Sequence, residues 1–501
     1  MTSDGSIRIV LFPFPGQGHF SAFLSLAAFL HRAHPTADIT LVSTPRNVEG
    51  LRCGSAGSPT AQYLRFHALP FVPAEHGLPG HGESADTVPV HRFIELFEAT
   101  ESGSLQEGFD GFVRDLTGDD GAGGAGARVC VIADPFLAWT SAVARRHGAA
   151  HAIFVSCGAL GAVVYHSLWN HQPHRRAPGD DAFFLPDHPE VAVHRSQLPR
   201  HLLDADGTDR WSGFHRRQIS AGYDTDAVLI NTMEELETAG MRMLRRTMGV
   251  PVYPIGPLVR SNHADAGDGD AADVIRWLDA QEERSVLYIS FGSINTLRLD
   301  QMVDLAAALE LTGRPFVWAI RPPVGFDTNG GAFSVERPPM PEGFVERARA
   351  KNTGLLIHGW APQVIILAHR ATGAFLSHCG WNSALESLAH GLPILAWKLM
   401  ADQFFNARML EEQWGACVEV SRGNGPGSPA PGRQRLADAV EEVMGSSTAV
   451  GDTMRRRADE IREMIGRALE GGGSSVTALD EFLALTSRDR TMAQKFSHPK
   501  I

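Results

Sequence analysis

The chain has 501 residues, of which 43% are hydrophobic and 20% charged, and it carries a formal net charge of −12 at pH 7. That length implies about two to four domains with sizeable cores and a globular exterior facing water. The negative balance argues against a nucleic-acid or anionic-membrane partner, since both would be repelled, but leaves room for a local anion pocket.

Cys53, Cys130, Cys157, Cys379 and Cys417 are odd in number, scattered and free of any CxxC spacing, which points to reduced thiols in a cytoplasmic protein and to no metal. No basic–apolar–small leader opens the chain, and no window approaches ~18 uninterrupted apolar residues. The final stretch, from Ser487 to Ile501, is polar. No integral membrane segment is therefore expected.

In chain order, residues 7–12 read as a buried strand. The Pro/Gly-rich turn Phe14-Pro15-Gly16-Gln17-Gly18-His19 follows, and then a helix over about 20–32. Taken as a dinucleotide fingerprint the turn gives G-x-G-x-x-S, with Ser21 in place of the third glycine. The acid expected at the end of the second strand, 38–43, is missing, because that strand runs into Thr44-Pro45-Arg46. A nicotinamide-dependent oxidoreductase is thus the weaker reading.

The stronger one centres on His19. It stands at the C-terminal end of a parallel strand, where open α/β sheets place ligands, and a neutral imidazole with a reference pKa of ~6.5 suits a general base. A lone histidine in a turn is usually just solvated; the partner changes that. The apolar strand 129–133 ends in Asp134, which reaches the same sheet edge. A carboxylate behind an imidazole fixes its tautomer and stabilises the imidazolium. Phe14, Phe20, Phe136 and Trp139 flank the pair in sequence and suit an apolar acceptor pocket, with core packing an equal alternative. The irregular segments Phe71–Glu98 and Phe183–Leu203, rich in Pro and His, read as acceptor loops, and Gly118–Gly126 as a loop without evident chemistry.

A helix over 138–147 and strands over 152–155 and 227–231 complete a first α/β unit, 1–255. A linker is expected over 256–272, a second α/β unit over 273–473, and a last helix with the tail over 474–501. The second unit opens with a strand over 286–291, whose small turn Phe291-Gly292-Ser293 offers a hydroxyl for a phosphate. A helix over about 299–311 and a strand over 316–320 follow, with two helices over 433–469 and one over 475–485 at the end.

The run from Trp360 to Gln403 carries the most chemistry. A strand over 355–358 leads into Trp360-Ala361-Pro362-Gln363, where the proline suits the first turn of a helix. A buried strand over 374–377 leads into His378-Cys379-Gly380-Trp381-Asn382-Ser383 and a second helix. Strand, small-residue turn and helix N-terminus together form an anion site, with free N–H groups aimed at a phosphate. Asn382, Ser383 and His378 add side-chain donors, and Glu386, one turn on, is placed for ribose hydroxyls. Trp360 offers a face on which a base stacks, typically worth ~1–3 kcal/mol.

From Trp360 to Gln403 the chain resembles the signature of plant family 1 glycosyltransferases, which use UDP-sugars. The resemblance implies the GT-B fold: two Rossmann-like α/β domains whose parallel sheets face each other across a cleft. It implies roles too. Trp360 would stack on uracil and the Ala361 main chain read its edge; Gln363 and Glu386 would hold the ribose; His378, Asn382, Ser383 and Ser293 the diphosphate; Trp381, Asp402 and Gln403 the sugar. Gly18 would lie beside the donor. Glutamine at position 403 is associated with glucose. His19 would be the base and Asp134 its orienter. The family often has proline where this chain has Ala22, a departure that a first helical turn tolerates. The expectation is an inverting UDP-glucose-dependent transfer to a hydroxyl of a small apolar acceptor such as a flavonoid, another phenolic or a terpenoid, with UDP-galactose, UDP-xylose or UDP-rhamnose as the alternative donors and a non-catalytic UDP-sugar-binding protein as the distant alternative. No metal or cofactor is expected, and the protein should be a monomer.

Overall fold

The computed structural model describes residues 7–118, 128–177, 182–260, 269–322, 340–425, 427–446 and 448–486. The loop expected over 118–126 and the tail after 486 lie almost wholly outside these residues.

The chain builds two open parallel sheets. The first contains β1 (Ile7–Phe12), β2 (Asp38–Ser43), β3 (Leu64–Ala68), β4 (Arg128–Ala133) and β5 (Ala150–Val155). After a small antiparallel hairpin, β6 (Ala182–Phe184) with β7 (Ala192–His194), it is completed by β8 (Ala227–Ile230) and β9 (Val252–Pro254). Its order is β3-β2-β1-β4-β5-β8-β9. The second sheet holds β10 (Val286–Ser290), β11 (Phe316–Ile320), β12 (Gly354–His358), β13 (Thr372–Ser377), β14 (Ile394–Lys398) and β15 (Cys417–Arg422). Its order is β12-β11-β10-β13-β14-β15.

Both are doubly wound, and in both the direction of winding reverses beside the first strand: between β1 and β4, and between β10 and β13. Such a reversal opens a crevice at the carboxyl ends of the strands. Strands flanking it are covered on both faces and read as continuous apolar runs, as in the wholly buried Thr372–Ser377.

The halves are joined by more than the linker. The helix Ser474–Thr486 returns to the first sheet, where Leu479, Phe482 and Leu483 enter the core around Ile9, Phe23 and Phe154. The Trp381 indole N–H donates to the Asn231 carbonyl at 2.6 Å, and that of Trp414 to the Leu236 carbonyl at 3.0 Å. The helix Gly269–Asp279 begins inside the span expected as linker. Among the described residues, no helix is long and apolar enough to cross a membrane. None of the five cysteines forms a disulfide.

Candidate active site

Register places the first pair of residues. Phe12 lies level with Ala133, so the segments leaving β1 and β4 emerge side by side. His19 sits in the first turn of the helix Gln17–Ala33, and Asp134 follows β4 directly. The His19 Nδ1–H donates to Asp134 Oδ2 at 2.6 Å. The other carboxylate oxygen accepts the Phe136 N–H at 3.0 Å, and the Asp134 N–H donates to the Phe12 carbonyl at 2.9 Å. Asp134 is fully buried while His19 keeps 28% of its side chain exposed, so the imidazole alone meets the cleft. Burial depresses the basicity of His19. The charge and hydrogen bond of Asp134, helped by the charge of Asp402 across the cleft, outweigh burial and leave its pKa above 6.5.

The second crevice is built the same way, with Ser290 level with Ser377. His378 leaves β13 and inserts its ring between two turns. A Cβ on either Gly292 or Gly380 would stand 2.6 Å from His378 Nε2, so only glycine lets the ring in. Gly292 also takes a φ of +82°. Burial pulls His378 down to about 4, against an opposing pull from the Ser290 main chain, and the ring is neutral at physiological pH. Its Nδ1 is buried with no protein partner. The helix Trp381–Ala389 begins beside it, pointing free N–H groups into the crevice. Cys379 and Ala401, with φ of +63° and +55°, are non-glycine residues in the left-handed region flanking this site. Such positions cost of order ~1–3 kcal/mol and concentrate at ligand sites.

The remaining donor residues gather as one surface. Trp360 is 55% exposed, and the Arg260 guanidinium lies 5.5 Å from its ring centroid. Ala361 follows at the start of the next turn, its carbonyl accepting the Gln363 N–H. Gln363 Nε2 donates to Glu386 Oε2 at 2.6 Å and Ser383 Oγ at 3.0 Å, and its Oε1 accepts from the Tyr288 hydroxyl at 3.2 Å. Ser383 therefore belongs with the pair expected at the ribose as much as with the phosphate turn. Pro362 precedes that helix, which starts at Gln363, instead of lying inside it. Asn382 Nδ2 donates to the Gly18 carbonyl at 2.7 Å, tying the phosphate turn of one half to the catalytic turn of the other. Gln403 Oε1 accepts the Leu399 and Met400 N–H groups, each at 2.9 Å, which leaves its amide nitrogen as the end to offer a sugar. The carboxyl of Asp402 is pushed up by burial despite a hydrogen bond from Asn406.

The aromatic residues in these expectations are placed differently from one another, and burial takes Phe20 out of the acceptor pocket. The Trp381 side chain is 3% exposed and its N–H donates to the Asn231 carbonyl, which leaves its main chain as the part available to a sugar. Trp139 packs edge-on against Phe12 and Phe109, in the same cluster as Phe14 and Phe136. Phe20 is buried to 3% exposure and makes no ring contact with the catalytic pair among the described residues. Phe14 and Phe136 do reach it, with ring centroids 5.2 and 5.7 Å from the imidazole. Phe14, 2% exposed, backs His19 from behind.

Sequence reading missed Arg321 and Phe97. Arg321 follows β11, and its Nε donates to the Gly292 carbonyl at 2.9 Å, pinning the turn that carries Ser293. Its position at the end of a strand flanking the reversal was the available signal. Phe97 lies 4.4 Å from Phe14 and 5.0 Å from Phe136, and it falls in the first segment read as an acceptor loop. Among the described residues, no group of three or more His, Cys, Asp or Glu side chains is arranged to hold a metal ion.

Known proteins share this arrangement. The family described as UDP-glucoronosyl and UDP-glucosyl transferase matches residues 216–447. UDP-glycosyltransferase 92A1 of Arabidopsis thaliana is 39% identical, covering 98% of both chains. Crocetin glucosyltransferase 3 of Crocus sativus is 38% identical over 96% of this chain and 99% of its own. Among solved structures, Glycyrrhiza uralensis UGT73P12 complexed with glycyrrhetinic acid 3-O-monoglucuronide superposes with a TM-score of 0.81 at 27% identity, covering 98% of this chain and 97% of that one. Phytolacca americana UGT2, complexed with UDP-2fluoro-glucose and pterostilbene, does so with a TM-score of 0.77 at 25% identity over 97% and 100%. With its two facing parallel sheets, the chain belongs to the family 1 UDP-glycosyltransferases, has their GT-B fold and is an enzyme of that class.

Proposed function

We propose that this enzyme moves glucose from UDP-glucose to a hydroxyl of a small apolar acceptor, a phenolic or a terpenoid, with inversion at the anomeric carbon. The observation that carries the proposal is the 2.6 Å His19–Asp134 contact, joined across the cleft to the phosphate turn through Asn382 and Gly18. With Nδ1 held by Asp134, Nε2 is the atom that accepts the acceptor proton. As it does so, the acceptor oxygen bonds to the anomeric carbon, the bond from that carbon to the β-phosphate oxygen breaks, and UDP leaves with the electron pair. General-base assistance of this kind contributes ~10²–10⁴-fold. Asp134 steadies the imidazolium.

The growing charge on UDP meets the N-terminus of the helix Trp381–Ala389, the side chains of His378, Asn382 and Ser293, and the turn held by Arg321. Trp360, Ala361, Gln363, Ser383 and Glu386 hold the uridine, and Asp402 with Gln403 the sugar. We assign glucose on Gln403 and on the glucosyltransferase names of relatives. Those include scopoletin glucosyltransferase of Nicotiana tabacum, 30% identical over 96% of this chain and 98% of its own. The transfer proceeds without a metal or cofactor, in a cytoplasmic monomer. Its acceptor domain spans 1–255, its linker 256–272 and its donor domain 273–473, with 474–501 as the closing helix and tail.

Competition among UDP-glucose, UDP-galactose, UDP-xylose and UDP-rhamnose, with phenolic and terpenoid acceptors and product mass as readout, tests the donor. The expected product is a β-glucoside formed equally well in excess EDTA. An α-linked product, or transfer abolished by EDTA, overturns the mechanism.

A further inference from the structure

The acceptor side of the cleft is walled by aromatic rings, and one polar pair sits among them. Tyr165, on the helix Ala159–His171, and His215, on the helix Arg210–Gly222, are joined by a 2.8 Å hydrogen bond between the phenol oxygen and Nδ1. His215 is 4% exposed and stacks on Trp169, with ring centroids 4.2 Å apart, which fixes the plane of its ring. Tyr165 is half-buried and stands edge-on to Phe136 at 6.1 Å, and Phe136 in turn lies 5.7 Å from His19. A polar pair thus sits one ring beyond the catalytic base, among the aromatic side chains Phe136 and Trp169.

Its chemistry is specific. Burial pushes the Tyr165 phenol well above its ordinary range and the His215 imidazole well below its own, so both are neutral at physiological pH. One hydrogen is shared between the phenol and the imidazole nitrogen, given by the O–H or by Nδ1–H according to the tautomer, and in either case the phenol keeps capacity for a further hydrogen bond. A hydroxyl on the acceptor molecule, which both donates and accepts, answers the phenol in either arrangement. A molecule without one leaves the oxygen desolvated and unanswered, and a site with a polar group rejects such analogues strongly.

We propose that Tyr165, oriented by His215, is a specificity-determining residue that hydrogen-bonds a second hydroxyl of a flat aromatic acceptor whose first hydroxyl meets His19. The proposal rests on the transfer reaction set out above and deepens it by naming the acceptor class: a fused or conjugated aromatic with hydroxyls at opposite ends. His215 acts through Tyr165 and is a positioning residue.

The test compares 2-naphthol with 2,7-dihydroxynaphthalene as acceptors for the wild-type enzyme, Tyr165→Phe and His215→Phe. The wild type should favour the diol by about tenfold in KM, the size of one well-placed hydrogen bond and beyond the twofold that two equivalent hydroxyls supply. Tyr165→Phe should raise KM for the diol about tenfold, leave that for 2-naphthol unchanged and leave kcat within about twofold for both. His215→Phe, which keeps the stacked ring, should lie between. Equal losses for both acceptors, or no loss for either, overturn the proposal. Calorimetric binding of the two compounds in the presence of UDP reads the same discrimination without turnover. A wild type that binds the diol selectively yet transfers nothing therefore counts against the reaction alone.

Discussion

His19 and His378 each leave a strand flanking a reversal of winding, but on opposite sides of it: His19 follows β1, the first strand of its sheet, and His378 follows β13, the strand paired with the first strand β10. Their chemistry is opposite. His19 has a buried carboxylate behind it and a pKa above 6.5, whereas His378 has glycines on two sides, no carboxylate, and a pKa of about 4. In the proposed mechanism one ring takes a proton, and the other remains neutral and donates a hydrogen bond. An imidazole beside a winding reversal is therefore suited to act as a base or as a phosphate ligand according to what stands behind it.

That division of labour can be broken from either side. His19→Ala should lower turnover by about 10²–10⁴-fold while UDP binding, measured by calorimetry, stays unchanged. Loss of UDP affinity in that variant would erase the distinction between the halves. Gly380→Ala attacks the other side, since its Cβ would stand 2.6 Å from His378 Nε2 and force the ring out. UDP should then bind about tenfold to a hundredfold more weakly, the cost of roughly one hydrogen bond to a charged group, with the pH profile of turnover preserved. Trp360→Ala should weaken UDP by ~1–3 kcal/mol through lost stacking, read in the same titration.

The subtlest test concerns pH. His19 must be unprotonated to act, so turnover should fall as pH drops through a value above 6.5. In Asp134→Asn the charge that raises the pKa is gone while burial remains, so the acid limb should move to lower pH as the maximal rate falls. A limb that stays in place would show that His19 does not set it.

Much of this was legible in the chain. Apolar runs ending in Gly, His or Asp located both crevices, because side chains at the carboxyl ends of parallel strands have little freedom over which edge they join. The signature from Trp360 to Gln403 named the donor surface. Aromatic residues were harder. Trp381, Trp139 and Phe20 lie beside functional positions in sequence, yet an indole or phenyl ring fills a core as readily as it lines a pocket. Nothing local says which, and Trp381 became a clamp on Asn231 across the domain boundary. Phe97, Tyr165 and His215 were missed for the converse reason: they come from three separate helices and meet only when those helices pack.

Sequence alone thus determined the two-sheet architecture and pointed to the His19–Asp134 pair and the run from Trp360 to Gln403, since each is encoded by neighbours along one strand–turn–helix. Tertiary structure decided which histidine is basic, which tryptophans are free and what surrounds the acceptor. Those properties depend on burial and on charges contributed by distant segments, and no local pattern carries that information.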